Sequence, residues 1–127
     1  MSTTIELGQW GEKIAAATLE CIGYSIIERN WRPSPSPTEE PLRGEIDLVL
    51  QSPENHIVFV EVKTRSTQYC GHPFEAITPQ KSQKLKHLAY AWCTQHARGQ
   101  RLSIRIDAVA VTGSTTSFTV EHLQAVC

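Results

Sequence analysis

Residues 44–50 read GEIDLVL and residues 57–64 read IVFVEVKT, and these two apolar runs decide the fold. Both runs are rich in Ile, Leu and Val, and the segment SPENH between them is made of turn-forming residues. The pattern predicts an antiparallel hairpin of two strands, 45–51 and 57–64. A turn centred on Glu54 would place Asp47 directly opposite Glu61, whereas a turn centred half a residue earlier would make them diagonal neighbours.

The acidic residues of this hairpin interrupt its apolar runs at facing positions. Opposite Cβ atoms lie about 4.5–5.5 Å apart in such a pair, so the carboxylates of Asp47 and Glu61 would repel each other. A proton would compensate by raising one pKa. A divalent cation would compensate better, since Mg²⁺ binds one or two carboxylates and completes its shell with water and phosphate oxygens.

Lys63 lies two residues after Glu61 and therefore points to the same face of the strand. Its ammonium group could stabilise charge on a phosphate or orient an attacking water. Asp47, Glu61 and Lys63 together form a plausible site for metal-dependent hydrolysis of phosphodiesters. The alternative is a surface ion-pair cluster that contributes under about 1 kcal/mol to stability.

The rest of the chain predicts helices and strands around the hairpin. Periodicity and capping residues indicate helices over 7–22 and 79–97, strands over 24–30 and 103–111, and one further strand over 117–121. Gly23 is the expected stop of the first helix, and Thr78 is the expected N-cap of the second. Residues 33–41 contain four prolines and predict an extended loop. The order predicts one α/β domain over 1–127, with a mixed sheet flanked by helices.

Composition excludes several classes of protein. The net charge is −1, which excludes a strongly basic nucleic-acid binder but not a local basic patch. No apolar run approaches the roughly 18 residues of a membrane span, and the N-terminus lacks the pattern of a secretion signal. The four cysteines are widely spaced, with no pair at zinc-ligand spacing. We therefore expect reduced thiols in a cytoplasmic protein.

Seven segments carry a resemblance to a known family. They are GQWGEKIAAATLECIGY (8–24), ERNWR (28–32), GEIDLVL (44–50), IVFVEVKTR (57–65), GHPFEAI (71–77), PQKSQKL (79–85) and RIDAVAV (105–111). These segments resemble the YraN-like bacterial proteins, uncharacterised protein family 0102. That family is similar to the PD-(D/E)xK nuclease superfamily, with a restriction-endonuclease-like fold close to the archaeal Holliday-junction resolvases. Ile46 stands where the proline of the superfamily motif would be.

The resemblance implies an αβββαβ core and a divalent-metal nuclease site at Asp47, Glu61 and Lys63. It also matches Glu12 to the acidic residue of the superfamily's first helix. On this basis we expect a cytoplasmic endonuclease that uses Mg²⁺ or Mn²⁺ and acts on DNA, including branched or recombining DNA. Asp47 and Glu61 would bind the metal, Glu12 would support the site, and Lys63 would assist the water and the charged transition state.

The remaining site predictions concern nucleic acid. A groove for the DNA backbone would be lined by Arg43, Arg65, Lys81 and Lys84. Glu45 shares a face with Asp47 and is a further candidate ligand, or else a charge at the strand edge. Trp31 could stack on a base, and Arg105 and Asp107 are expected to pair on one face of their strand.

One such domain is too small to flank a four-way junction, so a homodimer is expected. Two other functions remain open. The chain could be a non-catalytic nucleic-acid-binding module that keeps the nuclease fold, or an adaptor protein for which the Pro-rich loop is a docking segment.

Overall fold

The described residues form two helices and five strands in the computed structural model of the chain. These elements are α1 (Thr4–Cys21), β1 (Ser25–Trp31), β2 (Ile46–Gln51), β3 (Ile57–Arg65), α2 (Pro79–His96), β4 (Ile104–Ser114) and β5 (Ser117–Leu123). The structure describes residues 4–35, 43–66, 77–96 and 103–127. Several features named from the sequence lie outside these ranges: residues 36–41 of the Pro-rich loop, Cys70, residues 71–76 of the GHPFEAI segment and residue 97 of the predicted second helix.

The five strands form one mixed sheet in the order β1-β2-β3-β4-β5. Neighbouring strands are antiparallel except β3 and β4, which are parallel and are connected through α2. A parallel pair needs such a crossover because its strands start at the same end of the sheet. This α/β architecture confirms the predicted αβββαβ core, which is consistent with a restriction-endonuclease-like fold, and β5 extends it by one strand.

The predicted hairpin has the first of the two registers considered. Leu48 pairs with Val60 and Gln51 pairs with Ile57, so the turn is centred on Glu54. Continuing this register by one residue brings Asp47 opposite Glu61. The strand pair therefore brings together the two carboxylates on which the predicted site depends.

Local signals set the ends of the helices as expected. α1 ends at Cys21, and Gly23 follows with a φ of 95°, a backbone conformation that glycine adopts without strain. α2 begins at Pro79, and the backbone N–H of Lys81 donates to Thr78 Oγ1 over 3.2 Å. Of the two helices in the described ranges, neither is long and apolar enough to cross a membrane.

Small residues let α1 lie close against one face of the sheet. Ala15 and Ala16 are buried there, beside Leu48 and Val60. At Gly11 the contact is so close that a Cβ would lie 1.8 Å from Thr64 Oγ1. Glu12 is the next residue of the helix, so this close approach brings its carboxylate to the sheet.

The opposite face of the sheet packs against α2. Val49 and Phe59 meet Leu88 and Trp92 of the helix in a second apolar cluster. Trp31 belongs to this cluster and is only 8% exposed. The prediction that Trp31 stacks on a base is therefore wrong, because its ring is used in the core.

The buried carboxylate of Asp107 on β4 pairs with Arg105 and also binds two residues near the end of the described chain. The predicted pair of Arg105 and Asp107 is present: Arg105 Nε and Nη2 each donate to an Asp107 oxygen over 2.9 Å. Asp107 is fully buried, and it also bonds to His122 over 2.8 Å and accepts the Ala125 N–H over 3.0 Å. Burial alone would raise the pKa of Asp107, but these hydrogen bonds and the Arg105 charge outweigh it and lower the pKa.

β1 lies at one edge of the sheet and is irregular. Its pairing with β2 shifts between Ile26 and Glu28, as in a β-bulge. Asn30, near the end of the strand, has a positive φ of 51°. This irregular end of β1 lies beside the start of β2, where the acidic residues are found.

Candidate metal and nucleic-acid site

Asp47 lies at the point where β2 and β3 stop pairing through their backbones. The last pair at this end is Leu48 with Val60. Beyond it, Asp47 Oδ2 accepts the backbone N–H of Val62 over 2.8 Å. Because Val62 lies between Glu61 and Lys63, this bond holds the Asp47 carboxyl next to both residues.

The surroundings of Asp47 disfavour a negative charge. Burial raises its pKa most, and the charges of Glu61, Glu12 and Glu45 raise it further, while the Val62 N–H lowers it; the result is a pKa of about 8. Without a cation, the carboxyl therefore keeps its proton at neutral pH. A positive charge at this position would replace that proton.

Three carboxylates from different parts of the chain form an acidic group. One oxygen each of Glu12, Glu45 and Asp47 lies within 4.8 Å of the other two, and all three residues are half-buried. Mg²⁺ binds oxygen at 2.0–2.1 Å, so ligands on opposite sides of the ion are about 4.2 Å apart. Neighbouring ligands in an octahedral shell are only about 3 Å apart, so side-chain rotations that bring these oxygens closer together would be needed for all three to share one ion. Carboxylate oxygens are also the donors that Mg²⁺ and Mn²⁺ prefer.

Asn30 and Arg32 of the β1 end hold this acidic group in place. Asn30 Nδ2 donates to Glu12 Oε2 and to Glu45 Oε1, each over 3.0 Å. Arg32 donates to Glu45 Oε2 through Nε and Nη2, each over 3.2 Å. Sequence reasoning missed Asn30, although asparagine is uncommon inside strands and its presence in ERNWR was the available signal.

Glu61 lies on the other side of Asp47 and is held by two lysines. Its Oε1 is 2.8 Å from Lys81 Nζ and 3.4 Å from Lys63 Nζ. Burial and a hydrogen bond to Lys81 lower the pKa of Lys63, against the attraction of Glu61. Burial also disfavours the charged form of Lys81, but hydrogen bonds to Glu61 and Lys63 and the charges of Glu61 and Asp47 outweigh it and raise its pKa.

The four residues predicted to line a DNA groove differ in their contacts and in their exposure to solvent. Lys81 is engaged by Glu61, as described above. Lys84 packs over Gly44, where a Cβ would lie 2.8 Å from the lysine Cε. Gly44 has a φ of 116°, and Arg43 next to it is exposed. Arg65 is half-buried at the end of β3.

Fold and site together define a class of protein: an α/β domain with a restriction-endonuclease-like core and an acidic group where its central strands part. The chain belongs to the uncharacterised protein family UPF0102, whose model matches residues 11–111. It is 40% identical to a UPF0102 protein of Leifsonia xyli subsp. xyli over 128 aligned positions, which cover 99% of each chain. A UPF0102 protein of Renibacterium salmoninarum is 48% identical over 111 residues, covering 87% of this chain and 86% of the relative. One from Beutenbergia cavernae is 43% identical over 121 residues, or 94% of each.

Proposed function

We propose that the chain is a metal-dependent endonuclease that hydrolyses phosphodiester bonds of DNA. The observation that carries this proposal is the position of Asp47. Its carboxyl lies between an acidic group, shared with Glu12 and Glu45, and a cationic group formed by Lys63 and Lys81 around Glu61. Negative ligands for a cation beside positive groups for a phosphate are the two requirements of such a reaction.

Asp47 and Glu61 are the proposed metal ligands, with Glu12 supporting them and Glu45 as a further candidate. Mg²⁺ or Mn²⁺ bound there would supply an activated water and neutralise charge on the phosphate. Asn30 keeps the carboxylates of Glu12 and Glu45 together through its two hydrogen bonds. This restraint limits the conformational freedom of both side chains beside the proposed ion.

Lys63 and Lys81 would act on the phosphate. Lys63 points to the same face as Glu61, and its ammonium can donate to a non-bridging phosphate oxygen or orient the attacking water. Lys81 holds Glu61 at 2.8 Å and adds a second positive charge on that side. Arg43, Arg65 and Lys84 would contact the backbone further from the reacting bond.

Branched or recombining DNA in the cytoplasm is the proposed substrate, and a homodimer is the proposed active form. The described residues of one chain offer one such site, whereas cutting a four-way junction symmetrically needs two. Light scattering of the protein alone and with junction DNA tests this. A monomer in both samples would exclude the dimer.

One observation favours a second candidate, a nucleic-acid-binding module without activity. Glu61 is held by two lysines, and Glu45 is held by Asn30 and Arg32. A closed network of this kind can stabilise a fold with no metal present. In that case the lysines and arginines would bind nucleic acid, and no bond would be cut.

A cleavage assay with matched variants separates the two functions. Labelled single-stranded, duplex, flapped and four-way-junction DNA are incubated with wild type, with Glu61→Gln and with Glu54→Gln, in Mg²⁺, Mn²⁺ or chelator. Glu54 is an exposed glutamate in the turn between β2 and β3, so its variant controls for the loss of one carboxylate. The same samples are examined for DNA binding in chelator.

A nuclease is expected to cut with metal only, with Glu54→Gln active and Glu61→Gln at least about 100-fold slower. Equal binding by all three proteins without cleavage would support the binding module. If Glu61→Gln cuts as fast as wild type, the proposed site is wrong even if the protein is a nuclease.

A further inference from the structure

Two pockets lie on either side of Asn30 at the edge of the sheet. The first, of about 300 Å³, is lined by Lys13, Arg29, Glu12 and Asn30 together with Gln9 and Leu48. The second, of about 470 Å³, is lined by Arg32, Arg43 and Glu45 together with Pro33 and Gly44. Each pocket therefore joins two basic side chains to one glutamate of the acidic group.

The basic side chains of these pockets have hydrogen-bonding capacity to spare. Lys13, Arg29 and Arg43 are exposed, and none of them forms an ion pair within the described ranges of the chain. Arg32 uses Nε and Nη2 for Glu45 and is 76% exposed. Since a guanidinium group carries five N–H donors, its Nη1 can serve another acceptor.

The outer side of β1 belongs to the same surface. Among the described residues, β1 is the edge strand of the sheet, so no further strand pairs with its outer side there. α1 contributes Lys13 from one side, and the segment before β2 contributes Arg43 from the other. A strand of nucleic acid can therefore cross this edge, with the acidic group between the two pockets.

We infer that the edge of β1 holds the strand that is cut, with one backbone phosphate in each pocket. Arginine and lysine in a concave site are the usual partners of phosphate oxygens. This inference rests on the proposed function, and it adds Lys13, Arg29 and Arg32 to the contacts expected from the sequence. It also gives the acidic group two phosphate contacts, one on each side, which would fix the strand across it.

Salt-dependent DNA binding tests the inference with one variant for each pocket. Lys13→Gln and Arg43→Gln each remove one exposed charge, and Lys86→Gln is the control. Lys86 is an exposed lysine of α2 and lines neither pocket. Affinity for a fluorescently labelled single-stranded oligonucleotide is measured in chelator at several salt concentrations, so that cleavage does not interfere. Melting temperatures of all four proteins establish that each is folded.

Each pocket variant is expected to bind about fivefold more weakly than wild type, and its slope of log affinity against log salt is expected to be smaller by about 0.7. Lys86→Gln is expected to keep the wild-type slope. If Lys13→Gln and Arg43→Gln behave as Lys86→Gln does, the inference is wrong. Cleavage by wild type with unchanged binding by the pocket variants would refute this inference alone. If the pocket variants have a smaller salt slope but wild type cuts no DNA, the proposed nuclease activity is wrong and the proposed phosphate-binding surface is supported.

Discussion

Replacing Asp47 by asparagine should stabilise the protein when no divalent cation is present. The unfolded carboxyl ionises near its ordinary pKa of 3.8, whereas the folded one keeps its proton up to about pH 8. Between these values the folded state binds more protons than the unfolded state, so stability falls as pH rises. Each pKa unit corresponds to about 1.4 kcal/mol, so at pH 7 the folded state loses about 4 kcal/mol relative to acid.

Asparagine avoids this loss because it does not ionise. Its side-chain oxygen can still accept the Val62 N–H, and its amide group can donate to a neighbouring carboxylate. We expect about half of the loss to be recovered, or about 2 kcal/mol, since the amide group differs in size and hydrogen bonding from the protonated carboxyl that it replaces. For a chain of this length that corresponds to a rise of about 8 °C in Tm.

Thermal unfolding of wild type and Asp47→Asn in chelator, from pH 4 to pH 8, measures the effect. The gain should be largest at pH 7–8 and should fall as the pH approaches 3.8, where the unfolded wild-type carboxyl also becomes protonated. Because only about half of the loss is recovered at pH 7, wild type should be the more stable protein near pH 4. Adding Mg²⁺ or Mn²⁺ should raise the Tm of wild type and leave the variant unchanged, because the ion binds only the folded site. Glu54→Gln serves as the control for removing a carboxylate elsewhere.

One result would refute this reasoning. If Asp47→Asn is less stable than wild type at every pH in chelator, the carboxylate is charged and structurally favourable in the folded protein. The raised pKa would then be wrong, and with it the argument that this position requires a cation.

Three further substitutions test other contacts. Gly11→Ala places a Cβ against Thr64 Oγ1 and should lower the free energy of unfolding by about 1–3 kcal/mol in urea denaturation, with partial rescue by Thr64→Ala. Asp107→Asn leaves the half-buried Arg105 guanidinium without its ion pair and should cost about 1.5–3 kcal/mol in the same assay. Lys81→Gln frees Glu61 from its shorter ion pair, so calorimetry should show Mn²⁺ binding about threefold to tenfold more tightly.

Each of these expectations has an outcome that contradicts it. Wild-type stability of Gly11→Ala would mean that α1 can move away from the sheet at no cost. A loss below about 1 kcal/mol for Asp107→Asn would show that the Arg105–Asp107 ion pair stabilises the protein little more than an Arg–Asn hydrogen bond does. Weaker Mn²⁺ binding by Lys81→Gln would indicate that this lysine positions Glu61 for the ion and does not compete with it.

The hairpin could be predicted from the sequence because its information is local. Alternating side chains and a turn centred on Glu54 are enough to bring Asp47 and Glu61 together. Glu12 was predicted from the family resemblance and not from periodicity. Its place at the sheet depends on the close contact of Gly11 with Thr64 of β3, which helix periodicity does not reveal.

The contacts around the site could not be read in the same way. Asn30 adopts a positive φ and reaches two glutamates that are far from it in the sequence. Lys81 was expected to face phosphate, yet it binds Glu61, because the start of α2 comes close to β3 in three dimensions. Trp31 lies between two arginines in the sequence and is nevertheless part of the core. Strand alternation assigns a side chain to a face but does not say which distant element covers it.

The irregular β1 edge also bears on self-association. Unpaired strand edges invite pairing with another copy of the same chain, and bulges and charged side chains are common obstacles to it. Here the pairing shifts between Ile26 and Glu28, Asn30 has a positive φ, and Arg29 and Arg32 project charge at the end of the strand. Arg29 and Arg32, which are proposed to bind phosphate, would therefore also hinder pairing of the β1 edge with a strand of a second copy of the chain. Neutralising both of them at once would lower solubility as well as affinity for DNA, and only the single substitutions separate the two effects.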